Sequence, residues 1–87
     1  MNASLKDWKN GWHGLELGLA PVEIERLIVL LRSLQENQDQ HFHISSDYKA
    51  SSGLGDIEVY IKQSSEPDNL FLSSLALPPG TEVKIEP

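Results

Sequence analysis

The sequence predicts an α+β domain, an antiparallel sheet of about four to five strands with one long helix packed on one face. Three observations predict it. One stretch, Pro21–Glu36, carries a helical repeat of apolar residues. Several short stretches alternate apolar and polar residues with a period of two. Asn10-Gly11, between two such stretches, is the preferred pair for a tight hairpin turn. With 87 residues, 39% of them hydrophobic and 23% charged, the chain has the composition of a folded protein and room for one core. Residues 1–87 are therefore read as a single domain.

In chain order, the first element expected is a hairpin that folds Leu5–Lys9 back on Trp12–Glu16 through a type I′ turn at Asn10-Gly11. Leu15, Leu17 and Leu19 alternate as a half-buried strand should. The helix follows. Ile24, Leu27, Ile28, Leu31 and Leu34 recur on one face, which Val22, Val29 and Leu30 widen. Pro21 suits the first helical position, and Glu23 and Glu25 favour the positive end of the helix dipole. Asn37 marks the end, and Arg26 and Arg32 face solvent. Three strands are expected next. His41–Ser46 puts Phe42 and Ile44 on one face and His41 and His43 on the other. Asp56–Lys62 sets Ile57, Val59 and Ile61 against Glu58, Tyr60 and Lys62. Leu70–Leu77 is apolar on both faces, Pro78-Pro79-Gly80 breaks the chain, and Thr81–Ile85 adds a short edge strand.

Charge and composition exclude several functions. The net charge is −6, and from Gly53 onward six acids face two lysines. Such a surface repels phosphate backbones, so no nucleic-acid partner is expected. It steers basic partners, although solubility alone explains it equally simply. No cysteine is present, so thiol nucleophiles, disulfides and Cys-based zinc sites are ruled out. The longest apolar run, Leu27–Leu31, is far short of the ~20 residues that span a bilayer, and the N-terminus has no apolar signal core. A cytoplasmic protein with no membrane partner is expected. No serine sits on a recognisable nucleophile turn, so no catalytic residues are assigned and the chain is not expected to be an enzyme.

Four features remain as candidate binding groups. The loop from Ser46 to Gly55 is long for a hairpin and carries Asp47, Tyr48 and Lys49, a charged and aromatic trio suited to protein contacts. Its plainer reading is a surface loop. Asp56 and Glu58 share a strand face with Tyr60, and Glu66 and Asp68 flank Pro67 in a turn. These acids are solvated groups or contacts for a basic partner. Trp8, Trp12, Tyr60 and Phe71 are more aromatic surface than one helix can hide, and those left over would mark an interface. His41 and His43 point the same way from a strand and could share a metal, with Asp47, Asp56 or Glu58 as third ligand. Their plainer reading is two polar residues on a solvent face, and no cofactor is assigned.

Four stretches together carry a resemblance: His41-Phe-His-Ile-Ser-Ser-Asp47, Gly53-Leu-Gly-Asp-Ile-Glu-Val-Tyr60, Glu66-Pro-Asp-Asn-Leu70 and Leu75-Ala-Leu-Pro-Pro-Gly80. Over roughly its C-terminal half the chain resembles the small immunity proteins of bacterial polymorphic toxin systems. The resemblance implies a toxin inhibitor that acts by protein–protein contact and has no catalytic residues. Its partner would be a cognate toxin, basic where it meets this acidic surface. Two alternatives stand beside it, a small metal-binding protein or metalloenzyme built on His41 and His43, and a structural module that homodimerises through a free sheet face.

Overall fold

The computed structural model describes residues 1–72. The chain is α+β, in the order β1 (Asn2–Asp7), β2 (His13–Gly18), α1 (Pro21–Glu36), β3 (His41–Ser45), β4 (Asp56–Tyr60). Among the described residues the expected single sheet does not form. The four strands make two separate two-stranded antiparallel sheets, β1 with β2 and β3 with β4. β1 pairs with β2 and β3 with β4, each across one connection, and among the described residues no pairing joins the two hairpins. The edge strand expected at Thr81–Ile85 lies outside the described residues, as does most of Leu70–Leu77. Leu70, Phe71 and Leu72 are described, are not in a strand, and are exposed.

The first hairpin has a different turn from the one expected. β1 begins at Asn2, which pairs with Gly18, and ends at Asp7, which pairs with His13, so Trp8–Trp12 form the connection. Lys9 adopts φ 62° and Gly11 φ 95°, two left-handed residues separated by Asn10. Two side chains hold this longer turn. Asp7 Oδ1 accepts the Lys9 amide at 2.9 Å, and Asn10 Oδ1 accepts the Trp12 amide at 3.0 Å. The Trp8 amide then donates to the Trp12 carbonyl at 3.1 Å. The short polar side chains thus supply the bonds that a two-residue turn would have taken from the ladder. The Trp8 ring lies across Gly14, where a Cβ would come within 2.8 Å of Cζ2.

Helix α1 has the expected bounds. Ala20 offers no capping side chain, so Glu23 reaches back and accepts the Ala20 amide at 2.9 Å. The same carboxylate takes the α-amino group of Met1 at 2.7 Å. That contact first, and the Ala20 amide second, hold the Glu23 carboxyl below its ordinary pKa. At the other end, the Asn37 amide donates to the Ser33 carbonyl at 2.9 Å, and φ −129° takes the chain out of the helix.

Burial follows a narrower stripe than the apolar pattern. Among the described residues only Leu34, 6% exposed, is withdrawn from solvent, and Leu27 and Leu30 beside it are half-buried. Ile24, Ile28 and Leu31, which share the periodic face, remain exposed. Leu17 and Leu19 are half-buried while Leu15 is exposed. In the second hairpin Phe42, Ile44, Ile57 and Val59 are half-buried and their alternates exposed, as the period of two requires.

Replacing Gly14 by valine places branched carbon where the Trp8 ring lies. Valine suits a strand, so the hairpin is expected to persist, with a stability change of about 1 kcal/mol or less. The ring must move. In a Trp12→Phe background, where Trp8 is the one fluorophore of its kind, Gly14→Val is expected to shift tryptophan emission to the red. Unchanged emission would show that the ring does not rest on Gly14.

Candidate functional site

The register of the β3–β4 hairpin assembles a polar face. His41 stands opposite Tyr60, His43 opposite Glu58, and Ser45 opposite Asp56. Because side chains alternate, these six point to one side, and the apolar residues between them point to the other.

At the centre of this face, His43 Nδ1 lies 2.8 Å from Asp56 Oδ2. An ionised carboxylate only accepts, so Nδ1 carries the proton. Ser45 Oγ donates to the second Asp56 oxygen at 2.8 Å. These two bonds, His43 before Ser45, hold the Asp56 carboxyl below its ordinary pKa. The far nitrogen of His43, Nε2, lies 3.5 Å from Glu58 Oε1, and His41 Nε2 lies 3.7 Å from the same oxygen. The two imidazoles meet edge to face at 5.0 Å. Of the three carboxylates that could complete a His41–His43 set, only Glu58 joins it. Asp56 is engaged with the other His43 nitrogen, and Asp47 accepts the Lys49 amide at 3.1 Å within its own loop.

Beyond Tyr60 the chain folds onto the end of the hairpin. The Tyr60 hydroxyl donates to Glu66 Oε2. Glu66 Oε1 accepts the Gln63 amide at 3.2 Å, and the Glu66 amide donates to the Gln63 carbonyl at 3.0 Å. Lys62 Nζ donates to the Glu66 carbonyl at 2.8 Å and lies 3.4 Å from Asp68. Glu58, Tyr60, Lys62, Glu66, Asp68 and Leu70 thereby line a shallow groove of about 310 Å³.

The eight residues expected to contact a partner therefore fall into two groups at opposite ends of one hairpin. Glu58, Tyr60, Glu66 and Asp68 share the groove. Asp47, Tyr48 and Lys49 sit in the connecting loop next to Asp56. That loop is held by its own contacts. Tyr48, at φ 57°, lays its ring beside Gly55 and donates its hydroxyl to the Gly55 carbonyl at 3.1 Å. The Ser46 amide extends the ladder to the Gly55 carbonyl at 2.9 Å. Sequence reasoning missed Ser45 and Lys62 as members of the site. Alternation placed Ser45 on the histidine face and was the signal available for it. Lys62 owes its role to a turn at Ser64–Ser65, closed by the Glu66 amide on the Gln63 carbonyl, whereas the sequence pattern set the turn later, around Pro67.

No protein-family model, curated protein or solved structure matches the chain. No described helix is long and apolar enough to cross a membrane.

The Tyr60–Glu66 bond has a pH signature with two sides. Glu66 is depressed below its ordinary 4.5, by the Tyr60 hydroxyl first and the Gln63 amide second. Its contribution is present above the unfolded pKa and is lost as pH falls through the folded one. Tyr60 is raised above its ordinary 10.0 by Glu66, so its contribution is present below the unfolded pKa and is lost as pH rises through the folded one. Tyr60→Phe removes the donor. The Glu66 midpoint, followed by carboxyl NMR, is expected to move upward toward its ordinary value. An unmoved midpoint would mean that the two side chains do not meet in solution.

Proposed function

We propose that this chain is a partner-binding protein of the immunity type, which inhibits a cognate bacterial toxin by covering it. The observation that carries this reading is the stripe Ile24, Ile28 and Leu31 on α1. Their exposures are 45%, 37% and 43%, beside the half-buried Leu27 and Leu30 and the buried Leu34. Spacing of i, i+4 and i+7 is that of a helix whose apolar side chains anchor in a partner's groove. Fully covering one such side chain contributes about 1.5–3 kcal/mol. Three of them, already partly covered, contribute less than the full sum. That is a useful share of affinity against an association cost of ~4–15 kcal/mol, with further contacts needed to complete it.

The acidic hairpin supplies the rest of the reading. Asp47, Asp56, Glu58 and Asp68 are exposed, and with the half-buried Glu66 they give one side of the molecule a negative field. A basic partner is drawn to such a side, and the gain falls on association rate more than on final affinity. The resemblance of the C-terminal half to immunity proteins supplies the identity of the partner as a toxin.

The test is coexpression with the product of the neighbouring reading frame. That product is expected to be toxic alone, harmless with this chain, and bound to it one to one in sedimentation. Ile28→Asp is expected to speed dissociation. Asp47→Lys with Asp68→Lys is expected to slow association about tenfold at low ionic strength and to flatten its salt dependence. Unchanged association at low salt would overturn the acidic contact map. A neighbouring product that neither binds nor is neutralised would overturn the inhibitor reading. A concentration-dependent homodimer abolished by Ile28→Asp would assign the stripe to self-association instead.

A further inference from the structure

We propose that the polar face of the β3–β4 hairpin is a site for a divalent transition-metal ion of the zinc class, with His41, His43 and Glu58 as ligands and Asp56 as the residue that positions His43. The ligand atoms of His41, His43 and Glu58 all lie within 4.8 Å of one another. Tetrahedral zinc with bonds of about 2.0–2.1 Å needs ligand atoms about 3.3 Å apart. Glu58 Oε1 already stands 3.5 Å from His43 Nε2 and 3.7 Å from His41 Nε2. The two imidazoles need only close on each other. Both rings and the carboxylate are about half exposed, so small side-chain rotations reach the required spacing without moving the ladder.

Proximity alone would describe any exposed ion pair. The distinguishing feature is the arrangement behind His43. A metal-ligating histidine commonly donates its other ring N–H to a carboxylate, which fixes the tautomer and aims the lone pair at the metal. Asp56 stands in that position at 2.8 Å, and Ser45 in turn fixes Asp56. His43 Nε2 is left as an acceptor directed toward Glu58 and His41. The charge also favours a cation. Asp56 and Glu58 place two carboxylates on the face, while Lys62, two residues beyond β4, is engaged with Glu66 and Asp68. Two imidazoles and one carboxylate suit zinc, cobalt, nickel or copper, and suit magnesium and calcium poorly because those prefer oxygen throughout. Three protein ligands on an exposed face leave a coordination position for water or for an outside group.

The site stands on hairpin geometry and is independent of the α1 stripe, so the partner-binding reading and this one fail separately. The experiment titrates the full chain, stripped with chelator, with Zn²⁺ alone by calorimetry, and follows imidazole ¹⁵N shifts. Saturable uptake of one equivalent is expected, with shifts at Nε2 of His41 and His43, and excess Mg²⁺ is not expected to compete. His43→Ala and Glu58→Gln are expected to lose most of the affinity. Asp56→Asn is expected to weaken binding roughly 10–100-fold while both histidines still respond. His13→Ala, in the other hairpin, is expected to leave binding unchanged. Circular dichroism of each variant separates lost ligation from lost fold. The proposal is overturned by no saturable uptake, by uptake that survives His43→Ala, or by uptake lost in His13→Ala. Full affinity in Asp56→Asn would overturn the positioning role.

Discussion

The pairing of His43 with Glu58 across β3 and β4 is the constraint on which the rest of the site depends. A strand shows alternate residues to opposite sides, so a slip of one residue would exchange the two faces completely. In the observed register Phe42, Ile44, Ile57 and Val59 gather on one side, half-covered. His41, His43, Ser45, Asp56, Glu58 and Tyr60 gather on the other. The apolar side therefore selects the register, and the polar network follows from it at no additional backbone cost. The Ser46–Gly55 bond and the Tyr48 hydroxyl close the loop end of the hairpin, and the Tyr60–Glu66 bond closes the opposite end.

The two hairpins differ in what they have available. The second has β-branched or aromatic residues at each inward position. The first has Gly14 and Gly18 within β2, and its described β1 residues are all exposed. Its order comes from the Asp7 and Asn10 side chains at the turn and from Trp8 on Gly14. This contrast places the chemistry in the second hairpin. A site needs side chains held at fixed distance, and there a half-buried apolar face lies behind the ladder. Helix α1 lies between the hairpins in sequence, and its apolar arc is wider than the surface that covers it. The excess, Ile24, Ile28 and Leu31, stays exposed.

Local structure was legible in the sequence wherever one period dominated. Pro at the first turn and the apolar repeat gave α1 its bounds, and strict alternation gave β3 and β4. Pairing between strands was not legible, because alternation says which way a side chain points and not which strand lies beside it. Four or five strand-like stretches therefore read as one sheet, whereas the described strands form two local hairpins. The Asn10-Gly11 pair suggested a two-residue turn, but Asp7 and Asn10 offered competing bonds that stabilise a longer one. Within the site, the shared direction of His41 and His43 followed from spacing alone. Choosing among Asp47, Asp56 and Glu58 required the cross-strand register, which opposes Glu58 to His43 and sets Asp56 one pair further along.

The tautomer of His43 reports most directly on this arrangement. With Asp56 accepting from Nδ1, the neutral imidazole must carry its proton there and leave Nε2 bare. Long-range ¹H–¹⁵N correlation at a pH where imidazole is neutral distinguishes the two forms. The structure predicts a protonated Nδ1 and an unprotonated Nε2 at His43. A predominant Nε2–H form would contradict it, because Asp56 would then not hold the ring and the face would lack the order described.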